Sequence, residues 1–91
     1  MSRKAAKILE QMRQNKSGWR PHHFRTLYLG FGFIMKAGRR HDVFIHPDFP
    51  QISDTIPRHD RELQSKGYAK DAVENIDLLL RLEKEREDQD E

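Results

Sequence analysis

The sequence predicts an α+β fold: a three-stranded antiparallel sheet with helices packed on one face, in the order α-α-β-β-β-α. Two observations carry most of this. Apolar residues recur at helical spacing near both ends of the chain, and a central stretch switches to strand-like alternation. The strand-like segments are also joined by tight connections, which suits an antiparallel meander. At 91 residues there is room for one small domain with a single modest core. Residues of the AVILMFWYC set and charged residues each make up 35% of the chain, so that core must be thin and the surface wet.

The elements follow in order. Ala5, Ile8, Leu9 and Met12 fall at i, i+3, i+4 and i+7, one stripe on a helix from about Arg3 to Gln14. Asn15, Lys16, Ser17 and Gly18 end it. Trp19-Arg20-Pro21 then reads as a second helix start, with Pro21 at the first helical position, where its missing N–H costs nothing. Phe24, Leu27 and Tyr28 share a face of this helix, and Gly30 is the expected stop. Phe31, Phe33 and Met35 alternate with Gly32, Ile34 and Lys36, a first strand. Lys36 to Arg40, with Gly38, reads as a hairpin turn. His41 to His46 forms the second strand, and Ile52 to Ile56 a third, closed by Pro57.

After Pro57 the segment RHDRELQSKG predicts a turn of helix and a loop. Ala69, Ala72, Val73, Ile76, Leu79 and Leu80 then mark a long amphipathic helix from Tyr68 to about Leu82. Residues 1–82 are the expected domain. Residues 83–91 are an acidic tail of six acidic and two basic side chains, expected as frayed helix or disorder. Nothing remains to cover the second face of the sheet. The middle strand presents Val43 and Ile45 on one side and Phe44 on the other, which points to a partner over the open side.

Charge narrows the class of partner. The formal net charge is +2, but the tail carries −4, so residues 1–82 carry +6 and hold all five histidines. A basic body suits a polyanion, RNA or DNA above all, with ordinary solvation as the plain alternative. There is no cysteine, which excludes disulfides and thiolate zinc sites. No apolar run of signal-peptide or membrane-spanning length occurs, so the expectation is a soluble cytoplasmic protein with no membrane role.

The residues that suggest chemistry lie in GRRHDVFIHP, residues 38–47, where two arginines precede a histidine at a strand start. A Gly-Phe pair opening the first strand (Gly32-Phe33, which gives the commoner spacing, or Gly30-Phe31), a short basic turn, His41-x-x-Phe44-x-His46-Pro47, and then Thr55-Ile56-Pro57-Arg58-His59 together resemble the HicA toxin family over about residues 3–82. That resemblance implies a fold like the double-stranded-RNA-binding domain and an endoribonuclease (mRNA interferase) acting on messenger RNA. It further implies a HicB-type antitoxin as partner and His41 as the catalytic histidine. Arg39-Arg40 stand where the family has Gly-Ser, and the glycine falls one position earlier, as Gly38.

The chemistry is coherent without the family. Cleaving RNA needs no metal or cofactor when the neighbouring 2′-hydroxyl is the nucleophile. One group takes its proton, another protonates the leaving oxygen, and cations hold the phosphorane charge. Histidine titrates near neutrality and suits the proton steps. His41 is therefore the expected acid or base, with Lys36, Arg39 and Arg40 as RNA-binding cations. His59 joins them if the fold brings it near. Taken alone, a histidine at a strand start is a solvated surface residue, and it is the motif register that turns His41 towards catalysis. His46 reads as a turn-forming residue. His22 and His23 have no motif support. A zinc site of His41, His46 and His59 fits no common spacing and lacks a fourth ligand. Trp19, Phe24, Phe31 and Phe33 coincide with apolar stripes and read as core rather than as base-stacking platforms. Two further readings stand beside the enzyme: an RNA-binding module of the same fold that does not cut, and a protein-interaction domain using the tail or the sheet.

Overall fold

In the computed structural model, which describes residues 2–89, the first helix, α1, is Arg3–Gln14. Ser2 caps it, its Oγ accepting the Ala5 N–H at 3.0 Å, which satisfies one of the donors a helix start leaves open. Ala5, Ile8, Leu9 and Met12 are buried, as their spacing predicts. Helix α2, Pro21–Gly30, has its proline at the first turn and buries Phe24, Leu27 and Tyr28.

The stop of α2 differs from the expected one. Gly30 is still helical, and the residue in the left-handed region is Gly32, with φ +92°. The Gly32 N–H reaches the Leu29 carbonyl at 3.1 Å and the Phe33 N–H reaches that of Tyr28 at 3.0 Å, the paired bonds of a Schellman cap. Gly30 serves packing instead. A Cβ there would collide with Ala5 Cβ and Ser2 Oγ, so only a glycine lets α1 approach α2 this closely.

The same cap shortens the first strand. Phe31 and Phe33, expected within it, bond back to α2, and strand β1 is only Ile34–Ala37. Both phenylalanines are nevertheless core. Strand β2 is His41–Ile45 and strand β3 is Ser53–Pro57, in the antiparallel order β1-β2-β3. Ile52 precedes β3 rather than opening it: its N–H turns back to the Phe49 carbonyl at 2.9 Å, while its carbonyl accepts the His46 N–H at 3.2 Å and closes the intervening loop. Pro57 is admitted to the strand because β3 is an edge. The next N–H, that of Arg58, reaches inward to the Arg40 carbonyl at 2.8 Å, so the donor Pro57 lacks would have pointed outward.

Residues 58–66 form no helical turn. Leu63 is buried and its N–H bonds the Trp19 carbonyl at 2.9 Å, pinning this segment against the α1–α2 connection. Helix α3 is Gly67–Gln89 and runs past the expected end at Leu82. Residues 83–89, expected as frayed helix or disorder, are helical and form its last two turns. Glu, Lys and Arg are good helix formers, and Arg86 ties this end to the body, 3.9 Å from Asp48 and over the Phe49 ring. Asp90 and Glu91 lie outside the described residues.

The helices cover one face of the sheet. Phe44 stacks on Tyr28 with ring centres 5.2 Å apart, and Ile56 is buried beside it on β3. The opposite face carries Ile34, Lys36, His41, Val43, Ile45, Ser53 and Thr55, by the register that pairs Lys36 with Val43 and Val43 with Thr55. Ile34 and Val43 are exposed there. No helix among the described residues is long and apolar enough to cross a membrane.

Candidate nucleic-acid interface

The turn between β1 and β2 is built around Gly38. Its N–H bonds the His41 carbonyl at 2.9 Å, and a Cβ at Gly38 would lie 2.5 Å from that same oxygen, so the turn closes this tightly only on a glycine. The end of β3 is stitched to it from below. Arg58 Nη1 donates to the Gly38 carbonyl at 2.7 Å, while the Arg58 N–H holds the carbonyl of Arg40. Turn and strand end thus form one unit, and His41, which opens β2 opposite Pro57, sits at its centre.

This unit is the wall of an open cleft lined by Arg39, Arg40, His41, Pro57, Arg58, His59 and Arg61. Four of the predicted residues therefore meet: His41, Arg39, Arg40 and His59. Lys36 does not reach it. It lies on β1 opposite Val43, exposed, on the same sheet face as His41 but outside the cleft. Arg58 and Arg61 are additions. Arg58 could have been found from the strand pairing, because a residue just after Pro57 must fall beside Arg40 once His41 faces Pro57. Nothing in the local sequence singles out Arg61.

The cleft has four guanidinium groups, two imidazoles and no carboxylate in its lining. Two neighbouring acids, Asp60 and Asp42, are directed elsewhere. Asp60 turns its Oδ1 to His22 Nδ1 at 2.7 Å and its carbonyl to Arg20 Nη1 at 3.2 Å. The His22 contact holds the Asp60 carboxyl below the usual carboxylate range. Asp42 lies under the turn, buried, with Arg25 Nη2 3.4 Å from Oδ2 and Arg58 Nε 3.5 Å from Oδ1. Both histidines belong to the lining of the cleft. The Nδ1 of His59 accepts the Arg61 N–H at 3.1 Å, so the neutral ring carries its proton on Nε2. His41 is exposed.

The other histidines belong to other parts of the fold. His46 is buried on the helix side, its Nδ1 accepting the Asp48 N–H at 3.1 Å and its ring edge-on to Phe33, the turn-forming place its sequence suggests. His23 accepts the Arg20 N–H at the start of α2. Partial burial, and then the neighbouring His22, push its pKa below the ordinary histidine value. Among the described residues no three His, Cys, Asp or Glu side chains converge as a metal-ligand set. Phe24, Phe31 and Phe33 are buried in the core and Trp19 packs against it. Compared with protein-family models, curated proteins and solved structures, the chain matches none.

Proposed function

We propose that this chain is the toxin of a HicA-type toxin–antitoxin pair, a cytoplasmic, metal-independent endoribonuclease that cleaves messenger RNA. The observation that carries the reading is the meeting of His41 and His59, eighteen residues apart in sequence, in one cleft walled by Arg39, Arg40, Arg58 and Arg61. Two imidazoles and a set of cations are what transfer of a phosphodiester to its own 2′-hydroxyl requires. His41 takes the 2′-hydroxyl proton as the O2′–P bond forms. His59, once protonated on both ring nitrogens and so released from the Arg61 N–H that its Nδ1 otherwise accepts, gives a proton to the departing O5′ as the P–O5′ bond breaks, and the arginines hold the charge gathered on the phosphorane oxygens. The products are a 2′,3′-cyclic phosphate and a 5′-hydroxyl. A HicB-type antitoxin covering the cleft and the adjoining sheet face, where Ile34 and Val43 are exposed, would silence the enzyme.

The test is incubation of the protein with a long unstructured RNA in EDTA, beside His41→Ala. The expected outcome is cutting that leaves cyclic-phosphate or 3′-phosphate ends and falls by about 10²–10⁴-fold in the variant, with RNA affinity nearly intact. Equal cutting by both proteins would refute the role of His41. The second reading is an RNA-binding module that does not cut, and it is favoured by Arg39-Arg40 in place of the family's Gly-Ser. It predicts salt-sensitive RNA binding by both proteins and no cleavage by either.

A further inference from the structure

Asp42 is the one acidic residue buried among the described residues, with 3% of its surface exposed. It sits on β2 directly after His41 but faces the helix side of the sheet. A carboxylate in such a place is tolerated only beside cations. Two are present, Arg25 and Arg58, and a single negative charge leaves one positive charge over. Oδ1 of Asp42 is buried without a hydrogen-bond partner, and the Nε of Arg58 lies 3.5 Å from it.

Arg58 is therefore held from two sides. Nε faces the Asp42 carboxylate, and Nη1 donates to the Gly38 carbonyl at 2.7 Å. The side chain remains about half exposed, at 48%, and lines the cleft with His41 and His59. Its Nη2 has no protein partner among the described residues and is the part of the guanidinium left for a ligand. Arg39 and Arg40, by contrast, are exposed on the turn with no side-chain hydrogen bond among the described residues, and each must be immobilised when RNA binds. A cation already fixed in place avoids most of that ordering loss.

We infer that Arg58 is the pre-oriented phosphate-binding residue of this cleft, and that buried Asp42 is its positioning residue. The inference rests on the RNA reading above. It also makes a prediction of unusual sign. Removing a negative charge beside a polyanion site tightens binding on Coulomb grounds alone. If Asp42 instead aims Arg58, removing that charge weakens binding.

The experiment measures anisotropy of a fluorescein-labelled, single-stranded 2′-O-methyl oligoribonucleotide, which binds but has no free 2′-hydroxyl to attack, across a range of salt. Asp42→Asn, Arg58→Gln, Arg58→Lys, the double variant D42N/R58Q and Arg39→Gln are compared with the wild type. R58Q is expected to weaken binding about tenfold and to lower the salt slope by about 0.7, the single-strand value for one phosphate contact. D42N is expected to weaken binding about three- to tenfold with the slope unchanged, and to add almost nothing once Arg58 is gone. R58K retains the charge but lacks the fork that holds Gly38 and a phosphate together, so it keeps the slope and loses affinity. Should D42N fail to fold, R58K carries the same geometric question, and wild-type affinity in R58K would overturn the inference. Tighter or unchanged binding by D42N overturns the positioning role. Unchanged binding by R58Q while R39Q is weakened overturns the assignment of Arg58 and leaves the RNA reading standing. Absence of binding by the wild type overturns both.

Discussion

Gly38→Ala separates a turn held by close contact from one that is merely convenient. Gly38 does not have a positive φ, so backbone preference alone would let alanine replace it. In that case the variant would gain about 0.4–1 kcal/mol from the stiffer unfolded chain. The structure predicts the opposite. The new Cβ would meet the His41 carbonyl oxygen at 2.5 Å, and backbone, not a flexible side-chain tip, would have to give way. Opening the turn stretches the Gly38 N–H bond to His41 and the Arg58 bond to the Gly38 carbonyl. A net 1 kcal/mol for the first and about 1 kcal/mol for the second, discounted because Arg58 is half exposed, give a loss of roughly 2 kcal/mol. Against a total of roughly 5–13 kcal/mol for a chain this size, that loss corresponds to about 8–16 °C in melting temperature. Urea unfolding followed by circular dichroism reads it directly, as a lower midpoint at constant m-value. Gly18→Ala is the control: φ is +84° but nothing lies within 4 Å of a new Cβ, so only conformational strain of about 1–2 kcal/mol is expected. Gly38→Ala as stable as the wild type, or more so, would refute the steric argument and with it the fixed placement of Arg39, Arg40 and His41.

Other expectations concern the core beneath the sheet. Tyr28 Oη donates to Asp54 Oδ2 at 2.7 Å and accepts from Asn75 Nδ2 at 3.1 Å. Tyr28→Phe leaves two half-buried polar groups short of a partner and is expected to destabilise by about 1–2 kcal/mol in urea unfolding. Burial pushes the Asp54 pKa above the usual carboxylate value. Its contribution to stability is therefore fully present below the unfolded carboxylate pKa and lost as pH rises through the folded one. Asp54→Asn, which can still accept from Tyr28, is expected to gain on the wild type in urea midpoint between pH 3 and pH 7, and a constant difference would refute this. Phe44→Ala removes the ring stacked on Tyr28 at the sheet centre and is expected to cost about 3–5 kcal/mol, readable as a thermal midpoint lower by well over 10 °C.

Much of the fold was legible because its signals are local. The stripe of Ala5, Ile8, Leu9 and Met12, the proline at the start of α2 and the repeat along α3 each specify an element without reference to any other. The boundary errors at the α2–β1 junction share a cause. Gly30 and Gly32 are equally good stops in sequence, and only the approach of α1, which no residue can enter beside Gly30, assigns them different duties. Misplacing that stop also misplaced Phe31 and Phe33, whose alternation imitates a strand while their N–H groups cap a helix.

The site divides along the same line. The basic turn before a histidine brought out Arg39 and Arg40, whereas His41 and His59 were singled out by the resemblance that their motifs carry. The chain alone thus determined the helices, the meander and the basic character of one end of the sheet, because these depend on neighbours within a few positions. Tertiary structure decided that His59 and His41 share a cleft, that Lys36 stands outside it, and that Asp42 is buried between Arg25 and Arg58. The first and last of those facts join residues sixteen or more positions apart. Such contacts exist only once the antiparallel register has chosen which side of the sheet every strand residue faces, and that choice is made by the burial of Phe44 and Ile56 against the helices rather than by any property of the charged residues themselves.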